Sequence, residues 1–423
     1  MNLDQWLAHQ QLQHPDAIAL GLDRVRTVAR RLGLTRPAAR VITVAGTNGK
    51  GSTVAFIEAI ARAAGLRVGA YTSPHLLRYN ERVRIDGIDA DDDALVAAFE
   101  RIETARVLGD GEPIQLTYFE YGTLAALALL EDAQLDLAIL EVGLGGRLDA
   151  VNIIDADVSV ITTVDLDHQD WLGTDRESIG LEKAGVMRAG KPVVLGERDP
   201  PASVLRHAYK IGASAIRAGC DYLVDDLPDG WRWREPGYAI DLPEPGLAAP
   251  AQRANAAAAI AALRATDIAI TNAAIVEGVH SVRLPARLQR IVRDGIEIVI
   301  DVAHNPQAAQ QLAAWLAAHP ASGQTFAVFS ALADKDLSGI VAPLIDHVAR
   351  WWVCGLHDTP RGLTGDALAE RLRDALADRE VVAVADAGQA LAAACAIAKA
   401  GDRILVFGSF HTAADALRAL GVH

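Results

Sequence analysis

Residues 40–65, RVITVAGTNGKGSTVAFIEAIARAAG, change their hydrophobic grammar halfway along. The first six form a β-branched apolar burst, the next six hold three glycines and a lysine, and from Ser52 onward the apolar residues recur at helical spacing. A strand running through a Gly-rich turn into a helix points backbone N–H groups and a helix N-terminus at a single anion. Lys50 would then reach the terminal phosphates of a nucleotide, and Ser52 or its neighbour a magnesium ion. The loop departs from the common G-x-x-x-x-G-K-[ST] spelling, because Gly51 separates the lysine from the hydroxyl and the leading spacing is shorter. An ordinary Gly-rich turn with an exposed lysine is the competing reading. The sequence has no N-K-x-D for guanine, since Asp334-Lys335-Asp336 lacks the leading Asn, so ATP is favoured over GTP.

Beyond this stretch the same grammar recurs in LRVGAYTS (66–73), LDLAILEVG (135–143), DVSVITTVD (157–165) and KPVVLGE (191–197). It restarts in IEIVIDVAHNP, QTFAVFSAL, ARWWVCG, REVVAVAD and DRILVFGSF. Bursts alternating with Ala/Leu-rich helical stretches predict an α/β fold with mostly parallel sheets. Residues 221–245 differ, alternating Trp231 and Trp233 with charges, and read as short antiparallel strands that embellish the first domain. At 423 residues the chain is too long for one core. The expected division is a P-loop domain over residues 1–285 and a Rossmann-like domain over 286–423.

Composition narrows the partners. A formal net charge of -14 disfavours a nucleic-acid surface. The three cysteines are far apart, without metal or disulfide spacing, which fits a reducing cytoplasm. No apolar run is long enough to span a bilayer, and the start lacks the pattern of a signal peptide.

Parallel strands set their carboxyl ends along one edge, and Ser73, Glu141 and His168 each fall where a burst ends. Glu141 closes the run LAIL as an acid that orders magnesium would; a solvated strand cap is the alternative. His168 gains weight from Asp165 and Asp167 beside it. Lys183 reads as a solvated lysine in the first turns of a helix. Arg78, Arg82 and Arg84 offer a local positive field to an acidic substrate or, equally, an ordinary charged loop.

Taken in order, VAGTNGKGS, SPHLLRYNERVRI, LTYFEYGTLAAL, LEVGLGGRLDAVN, DHQDWLG, EKAGVMR, the RAN of AQRANAAAA, LPARLQ, DVAHNP, LADKD and GSFHTA cover nearly the whole chain. This set resembles the bacterial bifunctional dihydrofolate synthase/folylpolyglutamate synthase family of the Mur ligase superfamily. The resemblance implies an ATP-dependent ligase that joins L-glutamate to 7,8-dihydropteroate and to reduced folates through an acyl phosphate. It implies that Gly46, Thr47, Asn48, Gly49, Lys50, Gly51 and Ser52 hold the ATP phosphates, with Asn255, Arg287, Asp301 and His304 on the rest of the nucleotide. Ser52, Ser73, Glu141 and His168 would bind magnesium, two ions being expected. Lys183 would carry a carbamate that bridges to the second ion and, with Lys50 and His168, make up the catalytic set. The pterin would lie against Leu22, Asp23, Arg24, Val25, Thr117, Tyr118, Phe119, Glu120, Leu148, Asp149 and Ala150. Lys335, Ser409 and His411 would face glutamate. Closure of the two domains would keep water from the acyl phosphate. The expected chain is a cytoplasmic monomer. It departs from the family pattern in LPARLQ, where a Gly-Arg pair followed by an aromatic is expected, so Ala286 and Leu288 differ while Arg287 stays.

Two rivals remain. A cell-wall ligase of the same superfamily is disfavoured by LTYFE and GGRLDA, and a nucleotide-driven switch by the second α/β domain. A dinucleotide-binding loop fails, because no acidic residue closes the second strand where a ribose would need one.

Overall fold

The computed structural model describes the whole chain except Pro15, Ala17, Gly109, Asp110, Asp358, Pro360 and His423. Its contacts separate two compact units, Met1–Gly246 with Gln252–Val282, and Leu247–Ala251 with Arg283–His423. The short return of Leu247–Ala251 to the second unit has no counterpart in the sequence reading.

The first unit is built on eight strands: β1 (Ala38–Ala45), β2 (Val68–Tyr71), β3 (Val83–Ile85), β4 (Ile88–Asp89), β5 (Leu135–Glu141), β6 (Val158–Ile161), β7 (Pro192–Leu195) and β8 (Ser214–Arg217). They lie in the order β4-β3-β2-β5-β1-β6-β7-β8. From β2 to β8 every pairing is parallel, and β3 and β4 add an antiparallel edge. Apolar runs without alternation suit strands covered on both faces. Val41, Ile42, Val44, Ile139, Leu140 and Val160 are accordingly buried at 0 % exposure. The order matters for chemistry, because β2, β5, β1 and β6 are consecutive neighbours, so their carboxyl ends share one stretch of edge.

Strands β9 (Leu223–Leu227), β10 (Gly230–Glu235) and β11 (Tyr238–Leu242) form a separate antiparallel sheet. Trp231 and Trp233 point to its buried face, and the Trp233 indole N–H donates to the carbonyl of Ala257 at 3.1 Å. That contact seats the sheet on the helix Gln252–Arg264, which carries Asn255.

In the second unit β12 (Gln289–Arg293), β13 (Ile296–Ile300), β14 (Thr325–Phe329), β15 (Arg350–Cys354), β16 (Glu380–Val384) and β17 (Arg403–Phe407) lie in the order β12-β13-β17-β14-β15-β16. All pairs are parallel except β12 with β13. The core includes Phe329, Trp351, Phe407, Leu312 and Leu316. No helix among the described residues is long and apolar enough to cross a membrane.

Candidate active site

The loop after β1 is a cradle made of backbone. The helix that follows, Lys50–Ala63, begins two residues before Ser52, and its N-cap is Gly49 in the left-handed region at φ 84° with no side-chain cap. An uncapped start leaves its first N–H groups directed outward, where the helix dipole favours an anion. Gly49 is also required for space, since a Cβ there would meet Asn255 Oδ1 at 2.4 Å. This places Asn255 against the loop, its own amide donating to Gln252 Oε1 at 3.0 Å. The Lys50 ammonium is held over the loop, donating to the carbonyls of Gly46 at 3.1 Å and Thr47 at 3.3 Å.

The neighbouring strand end fixes the cradle. Thr47 donates its N–H to the carbonyl of Thr163 at 2.8 Å, and its hydroxyl accepts from the Asp165 N–H at 3.0 Å. Asn48 donates its N–H to Thr163 Oγ1 at 3.1 Å, while Thr162 Oγ1 donates to the carbonyl of Asn48 at 2.6 Å. Thr162 and Thr163 were missed by sequence reasoning. Their role becomes visible only once β6 is known to neighbour β1, and their burst reads simply as strand.

Glu141 ends β5 and is 5 % exposed, with one carboxylate oxygen accepting from the Ser73 N–H at 3.2 Å. Its oxygens lie 3.7 and 3.8 Å from where a Cβ on Gly51 would stand, so carboxylate and phosphate loop adjoin. Ser73 lies two residues past the end of β2. His168, by contrast, is not at a strand end. It sits beyond β6 on a turn at φ 51° and precedes the short helix Gln169–Leu172. Ser52 is 3 % exposed.

Hydroxyl, carboxylate and imidazole are donors that suit magnesium or manganese, which keep several waters and bind mainly to substrate phosphates. Among the described residues no group of three or more His, Cys, Asp or Glu side chains could hold an ion by itself. The expected set supplies two such ligands, Glu141 and His168. The residues therefore fit an ion that the nucleotide brings with it.

Lys183 corrects the sequence reading. It lies in the last turn of the helix Arg176–Ala184, because Asp175 caps that helix by accepting from the Ser178 N–H, and it is 4 % exposed rather than solvated. Burial pushes its amine down to about 7; the Lys50 charge adds to the shift, and the carboxylates of Asp167 and Asp149 oppose it. Such an amine is substantially neutral near pH 7. The loop 143–149 docks on this helix: Arg147 donates its N–H to the carbonyl of Glu182 at 2.8 Å, and a Cβ on Gly146 would lie 3.1 Å from Lys183 Cα.

The expected pterin segments come together in part. Arg24 pairs with Glu120 at 2.9 Å, and Glu120 forms a capping box with Thr117, which joins the first two segments. The Phe119 ring lies 6.1 Å from that of Tyr71 and 2.6 Å from where a Gly143 Cβ would be, at the start of the loop that leads to the third. Val25 is fully buried in the core and lines nothing. Asp149 is buried and accepts from the N–H groups of Leu144 at 2.8 Å and Val151 at 3.1 Å. Burial pushes its carboxyl up to about 6, against those backbone hydrogen bonds and the Lys50 charge.

The three arginines of the loop after Ser73 separate. Arg84 is locked onto the buried Glu58 at 2.8 Å, and Arg78 pairs with Asp92 at 3.4 Å. The buried pair takes Arg84 out of any general positive field, whereas the Arg78 pair is solvent-exposed. Arg82 donates from Nε to His75 Nδ1 at 2.9 Å, and its guanidinium lies over the rings of Tyr79 at 5.2 Å and Tyr118 at 5.5 Å.

In the second unit Asp301 follows β13 and accepts from the N–H groups of Leu288 and Ala303, both at 2.8 Å. Burial raises its carboxyl, and Arg287 is the first influence that opposes this. Arg287 and His304 both face Phe410, at 5.2 and 6.3 Å, a residue sequence reasoning passed over. Ala286 and Leu288 flank Arg287 at φ 52° and 48°, the left-handed region, which explains why glycine suits position 286. Ser409 accepts from the Thr412 N–H as a helix cap, which commits its hydroxyl to structure. Lys335 and His411 lie after β14 and β17, His411 exposed.

Comparisons with known proteins follow this geometry. The Mur ligase middle domain matches residues 44–225, and the Mur ligase glutamate ligase domain matches 286–410. The dihydrofolate synthase/folylpolyglutamate synthase of Escherichia coli strain K12 is 46% identical over 419 residues, covering 99% of this chain and 95% of that protein. A solved structure of E. coli FolC in complex with DHPP and ADP superposes with a TM-score of 0.93 at 45% identity, covering 100% of this chain and 98% of the other. A bifunctional folylpolyglutamate synthase/dihydrofolate synthase with Mn, AMPPNP and L-glutamate bound gives 0.91 at 44% identity, with coverage of 100% and 98%.

Proposed function

The chain belongs to the dihydrofolate synthase/folylpolyglutamate synthase family of Mur ligases, and from that premise we propose how its residues divide one ligase cycle. The protein is an ATP-dependent ligase that joins L-glutamate to 7,8-dihydropteroate, forming dihydrofolate, and to reduced folates, forming folylpolyglutamates. It uses ATP with a divalent metal. The observation that carries the residue assignment is the uncapped helix start at Gly49, which adjoins the buried Glu141 across Gly51.

Amide formation from a carboxylate and an amine is uphill in water, so the acceptor must first gain a better leaving group. One oxygen of the acceptor carboxylate attacks the γ-phosphorus, the bond to the β-bridging oxygen breaks, and acyl phosphate and ADP result. Lys50 and the N–H groups of Gly49 and Gly51 hold the phosphates and offset the charge that moves onto the leaving oxygen. The neutral amine of glutamate attacks the acyl carbon, loses a proton and expels inorganic phosphate. Holding the reactants in line can lower the barrier by about 7–11 kcal/mol.

Ser52, Ser73, Glu141 and His168 would hold a first magnesium ion, which when bound neutralises phosphate charge. The Lys183 amine, about half neutral at pH 7, can in that form add to CO2 and lose a proton, which would make it a carboxylate-like ligand for a second ion. Asn255, Arg287, Asp301 and His304 are assigned to the nucleotide, with Phe410 added beside Arg287. Phe119, Tyr118, Leu148 and Asp149 are assigned to the pterin, and Arg82, held over the Tyr118 ring, to the acid that bears it. Lys335 and His411 are assigned to glutamate. The chain is read as a cytoplasmic monomer. Incubation with magnesium, ATP, labelled glutamate and each pterin acid in turn tests the assignment. Label should enter both acceptors in the wild type and neither in Lys50→Ala; ATP hydrolysis independent of acceptor and glutamate would contradict it.

A further inference from the structure

Val164 lies three residues past the end of β6, is fully buried, and so needs partners for both its backbone groups. No strand supplies them. Its N–H donates to Glu197 Oε1 at 3.0 Å, and its carbonyl accepts from Arg176 Nε at 2.8 Å. The two side chains are themselves paired, Arg176 Nη2 to Glu197 Oε2 at 3.1 Å, and Arg176 also donates to the carbonyl of Asp199 at 3.2 Å. On either side of Val164, Thr163 and Asp165 give their backbone groups to Thr47 of the phosphate loop. Successive residues of an extended segment face opposite ways. Residues 163–165 are thus gripped from one side by the phosphate loop and from the other by an ion pair.

The ends of that pair lie on the elements that carry the chemistry. Glu197 follows β7. Arg176 is the first residue of the helix Arg176–Ala184, and Lys183, seven positions on, falls on nearly the same face of that helix. His168 lies three residues beyond Asp165. Shifting either partner would therefore move the support of Thr47, of His168 and of Lys183 together.

We infer that Glu197 and Arg176 are positioning residues for the ligase reaction, a brace that fixes the phosphate loop, the His168 turn and the Lys183 helix at one spacing. The inference rests on the site assigned above, and the two can fail separately. Ligation indifferent to His168→Ala and Lys183→Ala would overturn that assignment, whereas the brace is judged on the following variants. Glu197→Gln keeps the shape but not the charge. Arg176→Lys keeps the charge but, as a single point donor, cannot serve Val164, Glu197 and Asp199 at once. Glu177→Gln is the control: Glu177 lies on the same helix, but its carboxylate accepts from the N–H groups of Ala202 at 2.9 Å and Ser203 at 2.6 Å, a helix-capping task away from residues 163–165.

For each variant the melting temperature, kcat, and the Kd for ADP with Mn2+ by calorimetry are measured. Removing a group that orients metal ligands costs about 10–100-fold in affinity or activity. Glu197→Gln should weaken Mn2+–ADP binding and lower kcat by about tenfold each, Arg176→Lys by less. Glu177→Gln should lower the melting temperature with both constants unchanged. The inference is overturned if Glu197→Gln matches wild type in kcat and Mn2+–ADP affinity, or if it loses only melting temperature as the control does. Should Glu197→Gln not fold, Arg176→Lys is held to the same two criteria.

Discussion

The two sheets differ in one turn at their carboxyl edges. In the second unit the helices that begin at Pro306, Leu337, Gly365, Ala387 and Phe410 are each capped by a side chain, from Asn305, Asp336, Thr364, Asp386 and Ser409. In the first unit the helix after β1 starts at Gly49 with no side-chain cap. A cap satisfies N–H groups that an anion would otherwise take. The first-unit helices that begin at Gln169 and Ala202 also lack a cap from their own N-cap residue, the latter being served by Glu177, so it is the missing cap together with Lys50 over a Gly-rich turn that marks the loop after β1 for a phosphate.

The sharpest break in that comparison is Lys50→Ala. It should lower kcat for ligation by at least about 1000-fold, as expected of a group aimed at developing phosphate charge. Its stability should change by no more than a surface substitution's, about 0.5 kcal/mol. Ser409→Ala at the other edge should show the reverse, with stability lower by about 1 kcal/mol and activity kept. Turnover in a folded Lys50→Ala protein would erase the contrast.

Lys183→Ala should cost about 100-fold in kcat, partly restored by short carboxylates that stand in for a carbamate. The pH dependence has a defined sign. With its amine at about 7, Lys183 takes up a proton as pH falls through that value, and the charged form cannot add CO2. In bicarbonate-limited buffer wild-type activity should therefore fall below pH 7, and bicarbonate should restore it less the lower the pH. The same shift makes the folded state bind fewer protons than the unfolded one between about 7 and the ordinary lysine value, so its cost to stability, full below 7, is relieved as pH rises. A flat bicarbonate response across this range would reduce Lys183 to a buried lysine.

A smaller effect is expected at Asp149, whose carboxylate serves the backbone as well as the assigned pterin. Asp149→Ala should lose dihydropteroate ligation well beyond its loss of tetrahydrofolate extension, and stability should fall by about 1 kcal/mol because Leu144 and Val151 lose their acceptor. Equal loss of the two activities would leave only the structural role. The smallest change is Ala286→Gly. Removing the Cβ at φ 52° relieves about 1–2 kcal/mol, offset by about 0.4–1 kcal/mol of added unfolded-state entropy, so denaturant midpoints should rise slightly or not at all. A clear loss of stability would show that the alanine methyl is packed well enough to justify the strain.

What the sequence makes legible follows from where each interaction is encoded. Backbone chemistry is written locally: glycine spacing and the switch from strand to helical period identify the phosphate loop, and the apolar bursts mark most strands of both sheets. Interactions between strand ends are not written locally. Thr163 meets Asn48 across 115 positions, and nothing near either residue announces it. Arg78, Arg82 and Arg84 look alike in sequence, yet Glu58 and Asp92 claim two of them. Lys183 was displaced to the wrong end of its helix because the Asp175 cap, not the apolar pattern, sets the start. Strand β12 was missed because its residues, QRIVR, are mostly polar or exposed at an antiparallel edge.

The central claim is that one site, at the uncapped helix start after β1, serves both ligations. Competition between acceptors tests it most directly, with tetrahydrofolate extension measured as dihydropteroate is added at saturating ATP and glutamate. One shared site predicts competitive inhibition with an inhibition constant equal to the KM of dihydropteroate, and a combined rate never above that of the faster acceptor. Two rates that simply add, with neither acceptor inhibiting the other, would contradict it.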